Sequence, residues 1–396
     1  GTWSGGIIIN GTETTASKHL TITEDSNTEA ISATVKVNHN SDGTKSITIS
    51  AYGGCGSGVS LQSTDISGTI TLDTIPKSSS LSLSASSVDV GGTIKANISR
   101  ASSSFTHDVE FYINSTYYKK YEKISGTSQS YTIPTSWYDA MPSDTNCTAY
   151  CRITTYNGST KVGDQVKKSF TVNVPSSVVP TVGTIKLTPA TINSKSILVK
   201  GKNKLTVNVS DCSAGTGSTI NSYTFSGPSI SKTVSSTSSS ASTSVSSVTD
   251  VTSFTDEVAT LEYKVTVTDK RGRSASKKNT IKCYNYYSPS FSKCNIYKAN
   301  SDGSANINGS YIYCTYTEKY ASVNSTNSTT VTAYYSDSTT TKTKPCSNGE
   351  VSIDISSNPN ATYKVYLMIE DAYGGNGTSS TVTMFGDTRI LNITKD

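Results

Sequence analysis

Tyr263-Lys264-Val265-Thr266-Val267-Thr268-Asp269-Lys270-Arg271-Gly272 is the stretch that decides the fold. Its residues alternate strictly between two faces and end in Asp-x-x-Gly, the pattern of a strand running into a turn. The aspartate side chain can cap the turn's N–H groups, and the glycine supplies positive φ. A hundred residues on, the pattern returns as Tyr363-Lys364-Val365-Tyr366-Leu367-Met368-Ile369-Glu370-Asp371-Ala372-Tyr373-Gly374, two residues longer between Tyr and Asp. A looser copy is Cys147-Thr148-Ala149-Tyr150-Cys151-Arg152-Ile153-Thr154-Thr155-Tyr156-Asn157-Gly158. A period near 100 with such a hairpin suits immunoglobulin-like sandwiches, whose last two strands pair this way. The expected fold class is all-β: tandem immunoglobulin-like or fibronectin-like β-sandwich domains after a partial N-terminal β domain.

Composition agrees. Of 396 residues, roughly a third are Ser or Thr, 16% are charged, and 24 Tyr outnumber 7 Phe and 2 Trp together. Thr, Tyr, Val and Ile favour a pleated, half-buried surface over a helix. An apolar content of 34% is low but suits small sandwiches, where only alternate strand residues face the core. No apolar run is long enough for a membrane-spanning helix, so no membrane insertion is expected. Gly1 to Asn10 show no secretory signal, as expected for cytosolic synthesis or an excerpt of a longer polypeptide.

Proline-containing linkers fall at the period: Thr74 to Ser80, Val174 to Pro180, and Asn285 to Ser290. Proline fixes φ and denies a ladder donor, so it separates strands. The expected modules are 1–74, 75–176, 177–285 and 286–385, with 386–396 a tail or the start of a further domain. Their net charges are −4, +3, +7 and −1 (the last counted over 285–396). The excess sits in one module rather than along a continuous basic stripe, so nucleic acid is not an expected partner. In the first module Ala33 to Asn38 and Ile47 to Ala51 alternate on either side of Asn40-Ser41-Asp42-Gly43, a strong hairpin signal. That module shows four or five strands and reads as incomplete, begun upstream or completed by a partner. Ser229 to Ser247 reads as a loop or as polar strands.

The eight cysteines offer neither Cys-x-x-Cys nor a Cys/His cluster, so no structural zinc is expected. Cys147 and Cys151 lie four strand residues apart, about 13 Å, too far to bridge. They read as small core residues beside Ala149 and Ile153. A Cys283–Cys294 bridge around a turn remains open beside the preferred reading, free buried thiols.

Three stretches resemble the minor structural tail proteins, tail tip or fibre with Ig-like repeats, of siphoviruses that infect Gram-positive bacteria. Val37-Asn38-His39-Asn40-Ser41-Asp42-Gly43-Thr44-Lys45 with Ile47 to Ser50 is similar to their recurrent hairpin. Leu72-Asp73-Thr74-Ile75-Pro76-Lys77-Ser78-Ser79-Ser80 is similar to their connector, with Lys77 and Ser78 replacing the usual Arg and Ala. Tyr287-Ser288-Pro289-Ser290, Asp302-Gly303 and Asn308-Gly309-Ser310-Tyr311 resemble the opening of their last repeat; Tyr297 or Lys298 stands where an Arg is usual. The resemblance implies a virion tail location, extracellular after release from the host cytoplasm, with other tail proteins as partners and a homotrimer as a candidate assembly. It implies a spacer that also serves in host adsorption. The alternative is a bacterial surface adhesin of the same modules; an accessory module of a wall-degrading enzyme is a third reading.

No enzyme is expected and no catalytic residue is assigned. Of the three histidines, His39 lies in a turn. His107 points opposite to Asp108 and Glu110, which spoils a dyad and reads as an edge or loop. No cofactor and no metal site is expected; calcium at Asp269 or Asp371 is conceivable near the linkers, but turn capping explains both residues more simply. Two surface candidates for binding remain. Lys270, Arg271 and Arg273, with Lys277, Lys278 and Lys282, crowd one hairpin and could attract a phosphate-rich wall polymer such as teichoic acid. Tyr311 and Tyr313 face outward if Ile312, Cys314 and Tyr316 face the core, and exposed aromatic pairs can stack on the sugars of a cell-wall glycan. Solvated edge lysines and ordinary strand tyrosines are the plainer readings.

Overall fold

A computed structural model describes residues 2–10, 12–21, 34–40, 43–55 and 66–386. Among them, β-strands and one short 3-10 helix, Thr135–Ala140, make up the regular structure. The chain forms two compact units, 1–176 and 177–396.

The first unit opens with β1 (Thr2–Ile9), β2 (Thr12–Thr21), β3 (Ser46–Cys55) and β4 (Ile66–Thr71), an antiparallel sheet in the order β2-β1-β3-β4. Here the expected hairpin is corrected. Residues 34–40 carry no strand, because both edges of β3 are taken, by β1 and by β4. The turn itself closes, with Gly43 N donating to Asn40 O at 3.0 Å and Gly43 at φ 85°. Ser41 and Asp42 lie outside the described residues.

A sandwich follows: β5 (Ser80–Leu83), β6 (Ser87–Asp89), β7 (Thr93–Ser99), β8 (Phe105–Tyr112), β9 (Tyr118–Ile124), β10 (Ser128–Thr132), β11 (Asn146–Asn157) and β12 (Thr160–Asn173). Its sheets run β10-β7-β5 and β6-β12-β11-β8-β9, with β6 parallel to β12. The second unit repeats this with β13 (Thr184–Pro189), β14 (Leu198–Val199), β15 (Leu205–Ser210), β16 (Ile220–Gly227), β17 (Ile230–Ser235), β18 (Ala241–Val245), β19 (Val258–Asp269) and β20 (Ser274–Tyr284). Its sheets, β13-β15-β18 and β14-β20-β19-β16-β17, match the first sandwich strand for strand. The Ser-rich run is thus two polar strands, β17 and β18.

The last sandwich holds β21 (Ser290–Ala299), β22 (Tyr311–Lys319), β23 (Thr329–Ser336), β24 (Thr341–Pro345), β25 (Glu350–Asp354), β26 (Tyr363–Asp371), β27 (Asn376–Thr378) and β28 (Val382–Met384). It keeps the same order without a counterpart of β14, and its final strand is broken into β27 and β28, both paired with β26. Ser379 carries the ladder across the break: its Oγ accepts Leu367 N and its N donates to Leu367 O, both at 2.9 Å. The protein is therefore all-β, a tandem of immunoglobulin-like sandwiches after a further β-sheet.

Alternation builds each core. Tyr263, Val265 and Val267 are buried on β19, and Tyr363, Val365, Leu367 and Ile369 on β26. Each fully buried apolar side chain contributes about 1.5–3 kcal/mol, so a few alternating residues per strand suffice. The two Asp-x-x-Gly turns are alike. Asp269 Oδ1 accepts from Arg271 N and Arg273 N at 3.0 Å, and Asp371 Oδ1 from Tyr373 N and Gly375 N at 3.0 and 2.8 Å. Gly272 and Gly374 take φ 79° and 75°. Cys147, Cys151, Cys212, Cys283, Cys294, Cys314 and Cys346 are free thiols; Cys151 packs with Ala149 and Ile153, and burial pushes its thiol up to about 12.

His107 corrects the sequence reading. It lies in β8, between β9 and β11, fully buried beside Val109 and Phe111. Its Nε2 meets Ser79 Oγ at 2.8 Å, Ser79 N donates to Thr155 Oγ1 at 3.1 Å, and the entering linker is pinned beneath the sandwich. Burial holds the imidazole below its ordinary 6.5; repulsion from Arg100 adds to this and the Ile124 backbone opposes it. The unfolded chain therefore takes up the proton first. The stability that neutral His107 contributes is present above 6.5 and is lost as pH falls below it. Denaturant unfolding at about pH 7.5 and about pH 5 should show a larger loss for the first unit of the wild type than for a His107→Asn variant. Equal losses would contradict the buried, neutral histidine.

Candidate functional site

In the basic hairpin β19–β20 the two arginines are drawn in against the protein, while the four lysines stay at the surface. Arg271 is 8% exposed, and its Nη1 donates to Thr216 O at 2.7 Å. Arg273 Nη1 donates to Val178 O at 2.9 Å, and Lys277 Nζ to Gly183 O at 2.8 Å. Lys278 pairs with Glu262 at 2.7 Å. Arg273 and Lys277 thus satisfy carbonyls of the chain entering the domain. Lys270, Lys277, Lys278 and Lys282 are all exposed. Arg271 and Arg273 are thus structural donors, and the surface reading of Arg271 is corrected.

Tyr311 and Tyr313 do face outward, with Ile312, Cys314 and Tyr316 buried behind them. The Tyr313 ring lies 5.9 Å from Tyr297. Gly303 sits beneath it, where a Cβ would come within 3.1 Å of the ring. A hydrogen bond to Glu350, foremost, raises the Tyr313 hydroxyl above its ordinary range. Tyr311 is half-buried, opposite Ala299 and Asp354.

A second tyrosine arrangement was missed. On the outer faces of the larger sheets, Tyr112 and Tyr150 stand opposite each other at 5.6 Å, and Tyr334 and Tyr366 stack at 5.0 Å and 4°. The third domain has Thr224 opposite Thr266 at this place. Tyr150, Thr266 and Tyr366 occupy the same offset, three residues into each copy of the recurring strand, a signal the sequence did carry. Around the first pair, Arg152 lies 5.3 Å over Tyr112 and Lys167 4.6 Å over Tyr150, while Arg152 also bonds Glu110. Cross-strand pairs of this kind contribute about 0.2–1 kcal/mol to a sheet.

The third and fourth domains meet in a built joint. Val199, Ala321, Val323 and Tyr373 bury one another, packed by Ile192, Ile197, Tyr284, Tyr286 and Tyr287. Lys202 Nζ donates to Tyr373 O at 2.9 Å and sits 4.0 Å over the Tyr286 ring. Asn193 Nδ2 donates to Ala372 O at 3.0 Å. Glu257 Oε2 accepts from Ser322 N and Oγ at 3.1 and 2.8 Å. Asp371 Oδ2 accepts Asn327 Nδ2 at 3.1 Å, and Tyr286 OH reaches Oδ1 at 3.4 Å. These donors already occupy the Asp371 carboxylate. Val323, Asn324 and Ser325 take φ 48°, 57° and 59°. Left-handed backbone costs L-residues roughly 1–2 kcal/mol each, so the joint's contacts must hold this turn.

The fold and joint define a class: tandem β-sandwich proteins, here with the last two sandwiches packed together. Residues 2–307 match the family described as siphovirus protein of unknown function (DUF859), and the chain belongs to that family. No curated protein matches the chain. Among solved structures it is similar to a 1.5-MDa bacterial ice-binding adhesin, at 16% identity and TM-score 0.35, over 78% of this chain and 98% of that one. It is also similar to a Ca2+-stabilized adhesin of an Antarctic bacterium, at 15% identity and TM-score 0.36, over 97% and 89%. A tetra-tandem repeat from the extending region of a large adhesion protein matches at 14% and 0.32, over 96% and 91%. Similarity at this level carries no argument about function.

Glu257→Ala removes the acceptor for two Ser322 donors. It should lower the stability of the second unit by about 1 kcal/mol and split its calorimetric unfolding into two transitions. A single transition at the wild-type temperature would show that Glu257 does not couple the domains.

Proposed function

We propose that this chain is a structural component of the siphovirus tail, a spacer that holds or presents a host-binding region at the Gram-positive cell surface. The observation that carries the reading is the joint between the third and fourth domains. A linker folded into its neighbours fixes the separation of what it connects, which is the property a spacer needs. The siphovirus family favours this reading over a bacterial adhesin. The proposed role is mechanical and non-enzymatic. Ser79 and His107, which are in contact, are buried, and the contact holds the linker. Other tail proteins are the proposed partners, with a wall glycan or teichoic acid as the proposed host ligand and a homotrimer as the proposed assembly.

Antibodies raised against the purified chain, imaged with gold on intact virions, should label the tail. Free chain added in excess should slow adsorption of the phage to host cells. Gold confined to the capsid, or absent from purified virions, would defeat the reading.

A further inference from the structure

The second domain carries a polar groove of about 610 Å³ on the outer face of the sheet β10-β7-β5. Strand register makes its floor. Ser80 stands opposite Ser99 and Ser82 opposite Asn97, while Leu81 and Ile98 turn to the core. Arg100, Ser103 and Thr127 also line it. None of the lining residues is acidic.

Arg100 is held unusually for a half-buried cation. Both its hydrogen bonds leave from Nη1, to Ser125 O at 2.6 Å and Ser103 O at 3.1 Å. Those carbonyls fix the plane of the guanidinium. Among the described residues, Nε and Nη2 make no hydrogen bond and no carboxylate pairs with the charge. An oriented guanidinium with free donors is suited to two-point capture of phosphate or carboxylate. The hydroxyls and amide beside it can donate to or accept from neighbouring hydroxyl groups. The contrast with the β19–β20 hairpin is instructive: there the arginines donate to the protein's own carbonyls, whereas here part of the fork is left over.

We propose that this groove binds an anionic polyol, with Arg100 taking the phosphate or carboxylate and the Ser-rich floor taking the hydroxyls. The proposal rests on the host-surface reading given above and moves its charge-reading element from the basic hairpin to the second domain.

Titration calorimetry of the full chain at low salt would use three probes: a glycerol phosphate oligomer, a polygalacturonate oligomer and neutral dextran. One anionic probe should bind saturably and dextran should not; which of the two binds identifies the anion. Arg100→Gln should weaken binding at least about tenfold. Ser99→Glu, which places a carboxylate on the groove floor and leaves the anchoring carbonyls untouched, should do the same. Lys277→Gln with Lys278→Gln should leave binding intact. Equal binding of dextran, no saturable binding, or wild-type affinity in Ser99→Glu would overturn the groove. Adsorption competition separates the two readings. If chain and variants compete equally, the groove fails and the adsorption role stands. If oligomer binding needs Arg100 but the chain does not compete, the groove stands and the adsorption role fails.

Discussion

Each of the three sandwiches closes its final hairpin onto the linker that brings the chain in, and the rest of the architecture follows from that grip. In the second domain, Thr155 and His107 hold Ser79, and Gly163 leaves room for Ser78, whose N lies 3.1 Å from where a Cβ would stand. In the third, Arg273 holds Val178. In the fourth, Asp371 meets Tyr286, and a side chain at Gly375 would strike the Tyr286 hydroxyl at 1.9 Å. The linkers are thereby parts of the domains they precede. Backbone polar groups in such segments would otherwise lack partners, and the hairpins supply them.

The hairpins themselves were legible in the sequence, because alternation and Asp-x-x-Gly are local signals. Asp269 and Asp371 cap as expected, and Tyr311 and Tyr313 face out because Ile312 and Cys314 must face in. What stayed hidden is tertiary. Arg271 reads as a surface cation until the entering chain is laid against it. Glu257 follows Asp256 in an unremarkable pair, yet it anchors the joint. The alternation of residues 33–38 signalled a strand, but alternation does not say which edge is free, and β3 had none. His107 was placed on the correct face and assigned the wrong depth.

The same grip bears on the proposed role. A spacer with loose linkers would transmit little orientation. Here the joint between the third and fourth domains combines an apolar patch and a cation over Tyr286, both built from residues of the two domains, with a left-handed turn at Val323. On the proposed reading such a joint serves to resist bending, at a modest cost in backbone strain.

Hydrogen–deuterium exchange on the full chain addresses the linker grip most directly. The amides of Ser79, Thr181 and Asn285 donate to Thr155 Oγ1, Ser213 O and Glu257 O. Peptides covering them should exchange as slowly as the neighbouring strands β11, β15 and β19. Exchange at the rate of exposed loops would mean that the linkers are free tethers, and the account of interlocked domains would be wrong.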